Sequence, residues 1–332
     1  MLSNMKNMDI YPLKFVPILK RVLWGGQKIC AFKQLECQYG DVGESWELSQ
    51  LPGSVSVVSN GVYKGMTLND LIDQFGPNLL GQRIFNQFDG RFPLLIKFID
   101  AAADLSIQVH PNDDLALQRH GCPGKSELWY VVDAEPGAKL VSGFNSNLTE
   151  ELYEKHLQQG TIESVLNDYQ VSAGDVFYIP AGRVHALGAG LFIVEIQESS
   201  DITYRLYDYN RKDAQGNPRQ LHTEWAKDAL DYQAVDQGKL AYSKDDSGLV
   251  PMVSTKHFII NRVALKSSET IQRDFSELDC FVVYVCVQGE GSLVCAGLNC
   301  TIKAGETCLI PSTSKQVDLH SKNGMILLET YL

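Results

Sequence analysis

One stretch of this sequence occurs twice. Residues 174–180 (GDVFYIP) match residues 305–311 (GETCLIP), and residues 130–132 (YVV) resemble residues 284–286 (YVC). Both copies consist of short runs in which apolar residues alternate or follow one another, which is typical of β-strands. The repeat therefore predicts that much of the chain folds as two copies of one β unit.

The first copy is longer than the second. The glycines that bound the corresponding interval are 37 positions apart in the first copy and 14 in the second. The additional residues coincide with helical patterns at residues 149–168, so we expect a helical insertion there. A further helical segment, at about residues 67–90, begins with Thr67 and Asp70 in the spacing of a capping box.

Four potential metal ligands lie on or beside predicted strands. Successive side chains of a strand point to opposite faces, so Gln108 and His110 point the same way. Glu127 begins another strand-like run. His185 follows the strand-like residues 176–179 and a Pro-x-Gly turn, which directs its side chain inward. Two imidazoles, one carboxylate and one amide oxygen suit zinc or a similar divalent ion.

The second copy tests this interpretation. In the repeat alignment Phe281 takes the place of Glu127, and Gln316 takes the place of His185. If the ligands only supported the fold, both copies should carry them. Their confinement to one copy favours a functional site.

Bulk properties exclude several classes of protein. The net charge is −11 with no run of Lys and Arg, which argues against nucleic-acid binding. Residues 1–15 do not form a secretory signal, and no apolar segment is long enough to cross a membrane. The cysteines form no CxxC pair, so we expect buried free thiols in a reducing cytoplasm. They are Cys30, Cys37, Cys122, Cys280, Cys286, Cys295, Cys300 and Cys308.

Two levels of family resemblance follow from these motifs. Residues 174–185 resemble the second motif of the cupins, small metal-binding β-barrels, although Ala189 stands where that motif usually has Asn. Residues 105–113, 124–127 and 200–205 together resemble type I phosphomannose isomerases, also called mannose-6-phosphate isomerases, in their short bacterial form. The likeness runs from residue 23 almost to the C-terminus.

The resemblance implies a fold class and a division into domains. The expected fold is mainly β, with two cupin-type double-stranded β-barrels (jelly rolls) and a helical insertion in the first. Residues 1–250 would form the catalytic metal-binding cupin domain with the insertions at about 67–90 and 149–168. Residues 251–332 would form a second cupin domain without metal ligands.

The resemblance also implies a set of site residues. One Zn²⁺ per chain would be bound by Gln108, His110, Glu127 and His185, beside the active-site arginine Arg205. Longer members carry a His where this chain has Gly124, so no proton-transfer role of that His applies here. The implied pocket would further include Trp24, Lys97, Ser106, Lys125, Glu195 and Asp201.

The implied reaction interconverts mannose 6-phosphate and fructose 6-phosphate through an enediol. A cation lowers the barrier by stabilising the developing oxyanion. We expect Arg205 to stabilise this charge or orient the chain, although an ion pair with Asp201 or Asp208 would make it structural. Lys125 would move a proton or contact the phosphate, and Glu195 is the alternative base. The phosphate would be met by side chains, with candidates Lys97, Ser106, Lys125 and Arg205.

Two other functions remain open from the sequence. Two His and one carboxylate also serve non-haem iron oxygenases, and a ligandless barrel is a precedent for a non-enzymatic sugar-binding cupin. Neither alternative requires Lys125 and Arg205 beside the metal ligands. The expected partner is a small sugar phosphate, with no obligate protein partner. Trp24 and Trp46 would pack against the sugar or belong to the core.

Overall fold

A computed structural model of the chain describes residues 10–212 and 215–332. Most of the N-terminal segment that was predicted not to be a secretory signal, residues 1–9, lies outside the described residues. Within the described ranges, no helix combines the length and the apolar character needed to cross a membrane.

Strands are the main element, which confirms the prediction of a mainly β fold. They are β1 (Leu13–Lys14), β2 (Ile18–Gly26), β3 (Val42–Leu48), β4 (Leu94–Ala101), β5 (Ile107–Val109), β6 (Glu127–Ala134), β7 (Lys139–Phe144), β8 (Leu166–Gln170), β9 (Val176–Ile179), β10 (His185–Leu187), β11 (Leu191–Glu198), β12 (Tyr204–Tyr207), β13 (Gly248–Ser254), β14 (Ile259–Leu265), β15 (Glu269–Asp274), β16 (Val282–Cys295), β17 (Leu298–Lys303), β18 (Thr307–Ile310), β19 (Gln316–Ser321) and β20 (Met325–Tyr331).

The helices are short. Thr67 and Asp70 form the predicted capping box at the start of α2, and Thr149 caps α6 by accepting a hydrogen bond from the backbone N–H of Leu152. The α-helices are α1 (Lys28–Lys33), α2 (Leu68–Phe75), α3 (Pro77–Leu80), α4 (Gln82–Gln87), α5 (Asp113–His120), α6 (Glu150–Gln158) and α7 (Thr223–Ala229), and Ile162–Val165 is a 3₁₀-helix.

The chain divides into two compact units, each discontinuous in sequence. Unit 2 contains residues 19–46 and 94–241, and unit 1 contains residues 1–18, 47–93 and 242–332. The helices α2 to α4 belong to unit 1, whereas the prediction placed them in the metal-binding domain. The division into domains of residues 1–250 and 251–332 stays a prediction.

Unit 2 is built on two antiparallel sheets. The first has the strand order β2-β3-β4-β11-β6-β9, and the second has the order β12-β5-β10-β7-β8. The strands β4 and β11 are buried along their whole length, and apolar side chains of the two sheets, such as Ile193 and Leu140, share one core cluster. Facing apolar sheets of this kind hold a strand-borne site rigidly.

Unit 1 repeats much of this pairing pattern. Its strands follow the order β18-β16-β20-β14-β13, and the second half of β16 also pairs with β17 and β19, which in turn pairs with β15. This order corresponds to β9-β6-β11-β4 and to β5-β10-β7-β8 of unit 2. The strand pairings thus show the repeat that the sequence indicates.

The strand register corrects the repeat alignment by one residue at two positions. Ile179 pairs with Glu127, and the repeated Ile310 pairs with Val282, so Val282 and not Phe281 is the counterpart of Glu127. In β19, Gln316 is exposed, while the next residue, Val317, is fully buried. The sequence alignment was therefore wrong by one residue at Phe281 and Gln316. A shift of one residue matters because it moves every side chain to the other face of the sheet.

A buried charge network occupies the core of unit 1. The Glu329 carboxylate is fully buried and accepts hydrogen bonds from Asn261 Nδ2 at 3.0 Å and the Tyr284 hydroxyl at 2.8 Å. The Arg273 guanidinium donates two more, at 2.8 and 2.9 Å. Every carboxylate oxygen is therefore satisfied, as a buried charge requires.

The prediction that all cysteines are free thiols was wrong for two of them. Cys30 and Cys37 form a disulfide with their Cα atoms 6.0 Å apart. Helix α1 ends at Lys33, the left-handed backbone of the next residue, Gln34, turns the chain back, and the Leu35 N–H donates a hydrogen bond to the Cys30 carbonyl. This local reversal is not visible in the residue spacing. The other six cysteines are free within the described residues.

Thiol counting tests the disulfide. Unfolded in denaturant without reductant, the chain should expose six reactive thiols, and eight after reduction. Cys37→Ser should lower the free energy of unfolding by about 2 kcal/mol, because the short loop between the cysteines is no longer closed. Eight reactive thiols without reductant would show that the bond does not form.

The Arg273 and Glu329 pair makes a second prediction. Arg273→Met leaves a buried carboxylate without its cation and should lower the free energy of unfolding by about 3 to 5 kcal/mol in urea titrations. The double variant Arg273→Met/Glu329→Gln should recover much of that loss, because no charge remains buried. Equal or greater loss in the double variant would show that the pair is not coupled.

Candidate active site

Three neighbouring strand ends bring the predicted metal ligands together in unit 2. Gln108 on β5 pairs directly with His185 at the start of β10. His110 follows β5, and its carbonyl accepts a hydrogen bond from the N–H of Gly182, in the turn that precedes His185. Glu127 begins β6. The ligand atoms of His110, Glu127 and His185 lie within 4.8 Å of one another, and all three side chains are buried.

Backbone carbonyls fix the tautomer of both histidines. The Nδ1 atom of His110 lies 2.8 Å from the Ile202 carbonyl oxygen, and that of His185 lies 2.8 Å from the Arg183 carbonyl oxygen. A carbonyl only accepts, so each Nδ1 carries a proton and each Nε2 offers a lone pair. Burial lowers the pKa of His185 to about 3 and also lowers the pKa of His110. Both rings are therefore neutral, as metal ligation requires.

The donor set fits a divalent cation. The two Nε2 atoms face each other at 3.1 Å, and neither has a proton to share with the other. The Oε1 atom of Glu127 is buried 3.4 Å from His185 Nε2 and has no hydrogen-bond partner in the part of the chain that the structure describes. The Gln108 amide lies 3.2 Å from the same Nε2, and rotating the amide would present its oxygen. Converging lone pairs of this kind favour a cation between them.

Lys125 is the positive side chain nearest to this donor set. Its Nζ donates to Glu127 Oε2 at 2.6 Å and to His110 Nε2 at 3.1 Å, and it is almost fully buried. Burial opposes ionisation of Glu127, but neighbouring positive charge, that of Lys125 first, holds the pKa of Glu127 well below its usual range. Glu127 is thus an anion among the candidate ligands.

Glu195 is held by two donors on neighbouring strands. Lys97 on β4 donates to its Oε2 at 2.8 Å, and the Trp129 indole on β6 donates to its Oε1 at 3.0 Å. Lys125 Nζ lies 4.0 Å from the same carboxylate. Burial acts to lower the pKa of Lys97, but the Glu195 and Glu44 carboxylates outweigh it and raise that pKa. Lys97 therefore carries its charge in the interior.

Ser106 connects the candidate ligand Gln108 to Arg205. The Ser106 hydroxyl lies 3.4 Å from Gln108 Oε1 and accepts a hydrogen bond from Arg205 Nε at 3.2 Å. Arg205 also donates to the Gln220 carbonyl at 2.8 Å. Among the described residues it forms no ion pair with Asp201 or Asp208, so its guanidinium charge is not neutralised locally.

Two further arginines share the region of Arg205. Arg211 and Arg219 both bind the Asp208 carboxylate, with Arg219 Nε at 2.7 Å. Burial and the charges of Arg219 and Arg211 lower the pKa of Arg205. Three guanidinium groups against one carboxylate leave a local excess of positive charge in an acidic chain.

The remaining predicted residues form no hydrogen bond to the donor set among the described residues. Trp24 is buried in an apolar cluster with Trp129, and Trp46 lies under Lys97 Nζ, 5.3 Å from the ring centre. Asp201 is exposed, and within residues 10–212 and 215–332 it has no hydrogen bond or ion pair with the other candidates. The roles of all these residues stay predictions.

Sequence reasoning missed several residues of the region. Trp129 and Gln197 lie beside Glu195 and Glu127 through cross-strand pairing, which no spacing in the sequence reveals. Gln197 follows Glu195 by two positions on one strand, so alternation could have placed both on one face. Arg211 and Arg219 come from the chain after β12 and carry no motif.

Comparison with known proteins identifies the class of the chain. Residues 13–136 match the model of the family "Phosphomannose isomerase type I, catalytic domain". The mannose-6-phosphate isomerase ManA of Bacillus subtilis (strain 168) is 33% identical over 308 residues, which are 92% of this chain and 94% of that protein. The mannose-6-phosphate isomerase of Streptococcus mutans is 34% identical over 305 residues, 92% and 93% of the two chains.

Solved structures agree with these relatives. The crystal structure of the mannose 6-phosphate isomerase from Bacillus subtilis superposes with a TM-score of 0.85 at 29% identity, covering 97% of this chain and 100% of that one. A putative mannosephosphate isomerase from Archaeoglobus fulgidus, at 22% identity and a TM-score of 0.79, shares the fold over 98% and 99% of the two chains.

Together these matches define an enzyme of the isomerase class. The chain belongs to the type I phosphomannose isomerase family, which confirms both the resemblance and the enzyme class predicted from the sequence.

Proposed function

We propose that this chain is a zinc-dependent aldose–ketose isomerase that interconverts mannose 6-phosphate and fructose 6-phosphate through an enediol. The observation that carries the proposal is the convergence of His110, Glu127 and His185 in a buried site, with neutral imidazoles and an unpartnered carboxylate oxygen. The relatives that cover most of the chain bear the name of this activity.

One Zn²⁺ per chain would be held by Gln108, His110, Glu127 and His185. When bound, such an ion stabilises negative charge on the oxygens of a substrate carbonyl. Glu127 is the single anion of the set, so the site keeps a net positive charge toward the sugar. Gln108 adds a donor oxygen without adding charge.

Lys125 is the residue proposed to move the proton between C1 and C2: as the free amine it would take the proton from one carbon, and as the ammonium ion it would return that proton to the other. Its Nζ lies within the buried site, and it reaches both Glu127 and the neighbourhood of Glu195. Both oxygens of Glu195 already accept hydrogen bonds, from Lys97 and Trp129. Glu195 is therefore less available as a base, and it remains the alternative to Lys125.

Arg205 is proposed to stabilise the negative charge of the enediolate or to orient the sugar chain. Its Nε donates to the Ser106 hydroxyl, which in turn contacts the amide oxygen of the candidate ligand Gln108. The phosphate would meet Arg205 together with Arg211 and Arg219, because guanidinium groups bind phosphate with paired, charge-assisted hydrogen bonds. Trp24 and Asp201 remain proposed contacts of the sugar.

The finer description of the fold is proposed as well. Each unit would form a double-stranded β-barrel of the cupin type, with α6 and the following 3₁₀-helix as the insertion in the first barrel. The matched strand orders of the two units support this description. The domain limits of residues 1–250 and 251–332 and a cytoplasmic location complete the proposal.

Metal removal tests the cofactor. The purified enzyme should convert mannose 6-phosphate to fructose 6-phosphate, lose this activity in a zinc chelator, and regain it with Zn²⁺ but not with Mg²⁺, which prefers six oxygen ligands. Elemental analysis should find one zinc per active chain. Full activity in protein shown to contain no metal would exclude the proposed mechanism.

Replacing two arginines separates their roles. Arg205→Ala should lower kcat/KM by about 100- to 1000-fold, as loss of a transition-state charge contact does, while zinc content stays near one per chain. Arg219→Gln should mainly raise KM for mannose 6-phosphate, by about 10- to 100-fold, and should leave any kcat/KM measured with unphosphorylated mannose unchanged. Loss of zinc from the Arg205→Ala variant would show that Arg205 has a structural role. An equal effect of Arg219→Gln on mannose 6-phosphate and on unphosphorylated mannose would show that Arg219 does not contact the phosphate.

A further inference from the structure

Gln197 is a buried polar residue that the proposed reaction does not use. It lies on β11 and pairs across the sheet with the candidate ligand Glu127. It shares a strand face with Glu195, two residues earlier, and its side chain is completely buried. A fully buried amide beside a metal ligand requires a reason, because desolvating it costs free energy unless it is hydrogen-bonded.

The amide nitrogen of Gln197 is engaged twice, by one short turn. Its Nε2 donates to the carbonyl oxygens of Glu198 at 2.8 Å and Ser200 at 2.5 Å. These bonds use both of its N–H groups. The amide oxygen has no hydrogen-bond partner among the described residues. The side chain thus closes the chain reversal that follows β11.

The same turn is fastened on its other side to the segment that carries Glu127. The Glu198 carboxylate accepts a hydrogen bond from the Ser126 N–H at 2.7 Å, and the Glu198 N–H bonds to the Ser126 carbonyl. The Ser200 N–H donates a hydrogen bond to the Glu198 carbonyl at 2.7 Å. Residues 198–200 are therefore fixed by backbone contacts and by the Gln197 amide together.

This turn leads directly to the carbonyl that orients His110. Ile202, two residues after Ser200, provides the oxygen that accepts the His110 Nδ1 proton at 2.8 Å. That hydrogen bond sets which imidazole nitrogen faces the donor set and at what angle. A displacement of the turn would rotate the ligand, and outer partners of metal-bound histidines control metal affinity in this way.

We propose that Gln197 is a positioning residue that sets the affinity of this site for its divalent cation, by holding the turn whose Ile202 carbonyl orients His110. The proposal rests on the proposed function only in that the site binds such a cation. It does not depend on the sugar, on Lys125 or on Arg205.

The variant Gln197→Met tests this role, because methionine has a similar length and fills the same space without hydrogen bonds. Competition with a chromophoric zinc chelator should give a Kd for Zn²⁺ about 10- to 100-fold higher than in the parent enzyme. Ser142→Ala is the matched control. Ser142 is a fully buried cross-strand neighbour of His185, and its hydroxyl has no hydrogen-bond partner within residues 10–212 and 215–332. Its loss should leave the Kd unchanged.

Two readouts distinguish positioning from a general loss of stability. The increase in Tm that Zn²⁺ produces should shrink in Gln197→Met, because ligand stabilisation follows Kd, whereas simple destabilisation lowers the Tm of both forms equally. Long-range ¹H–¹⁵N spectra of the metal-free protein should show that the Nδ1-protonated form of His110 is less populated in the variant.

An unchanged Kd in Gln197→Met would overturn the inference while leaving the zinc site intact. A parent enzyme that binds no Zn²⁺ would instead refute the proposed metal site, and the inference with it. If Gln197→Met does not fold, Gln197→Leu provides the same test. Failure of both to fold would assign Gln197 to folding and not to positioning.

Discussion

The arrangement of unit 2 depends on one buried negative charge, the Glu127 carboxylate. A carboxylate without solvent exposure persists only when cations or donors surround it. Lys125 satisfies one oxygen, and the other has no hydrogen-bond partner among the described residues. The histidines cannot donate to it, because their Nδ1 protons are bound to carbonyl oxygens and burial keeps the rings neutral. The interior therefore has a place for a cation, bounded by this oxygen and the two Nε2 atoms.

In unit 1 a side chain, that of Arg273, supplies the positive charge for which unit 2 leaves space. Glu329 corresponds to Glu195 by strand register, with Asn261 and Tyr284 in the places of Lys97 and Trp129. Val317 stands where unit 2 has His185, and it pairs with Arg273 as His185 pairs with Gln108. Arg273 thus brings a permanent cation to Glu329, and Val282 and Val317 stand in the places of the candidate ligands Glu127 and His185. A covalently attached cation closes the site to exchange, whereas converging lone pairs keep it open to an ion that a substrate can also contact.

The sequence predicted what depends on local periodicity and missed what depends on pairing between strands. Gln108 and His110 are two positions apart in one extended segment, and the turn before His185 is encoded by Pro and Gly, so these candidate ligands could be proposed without a structure. Register is set by packing of whole sheets, and for this reason Phe281 was aligned in place of Val282. The Cys30 to Cys37 bond depends on a left-handed residue at Gln34, and the contact of Gln197 with its turn depends on the path of the backbone after β11. Neither has a sequence motif.

Charge explains how an acidic protein can receive a dianionic sugar. The chain carries a net charge of −11, but in physiological salt charges farther apart than about 8 Å are largely screened from one another. The field at the site is therefore set by near neighbours, and Arg205, Arg211 and Arg219 outnumber Asp208 there. Ser106 joins this positive region to ligand Gln108 through two hydrogen bonds. A phosphate at the arginines would thus be anchored at one end of a short, rigid strand segment, and the donor set lies at the other end. Through such an anchor, the binding free energy of the phosphate would offset the entropy cost of orienting the reacting carbons, and this lowers the barrier of the chemical step.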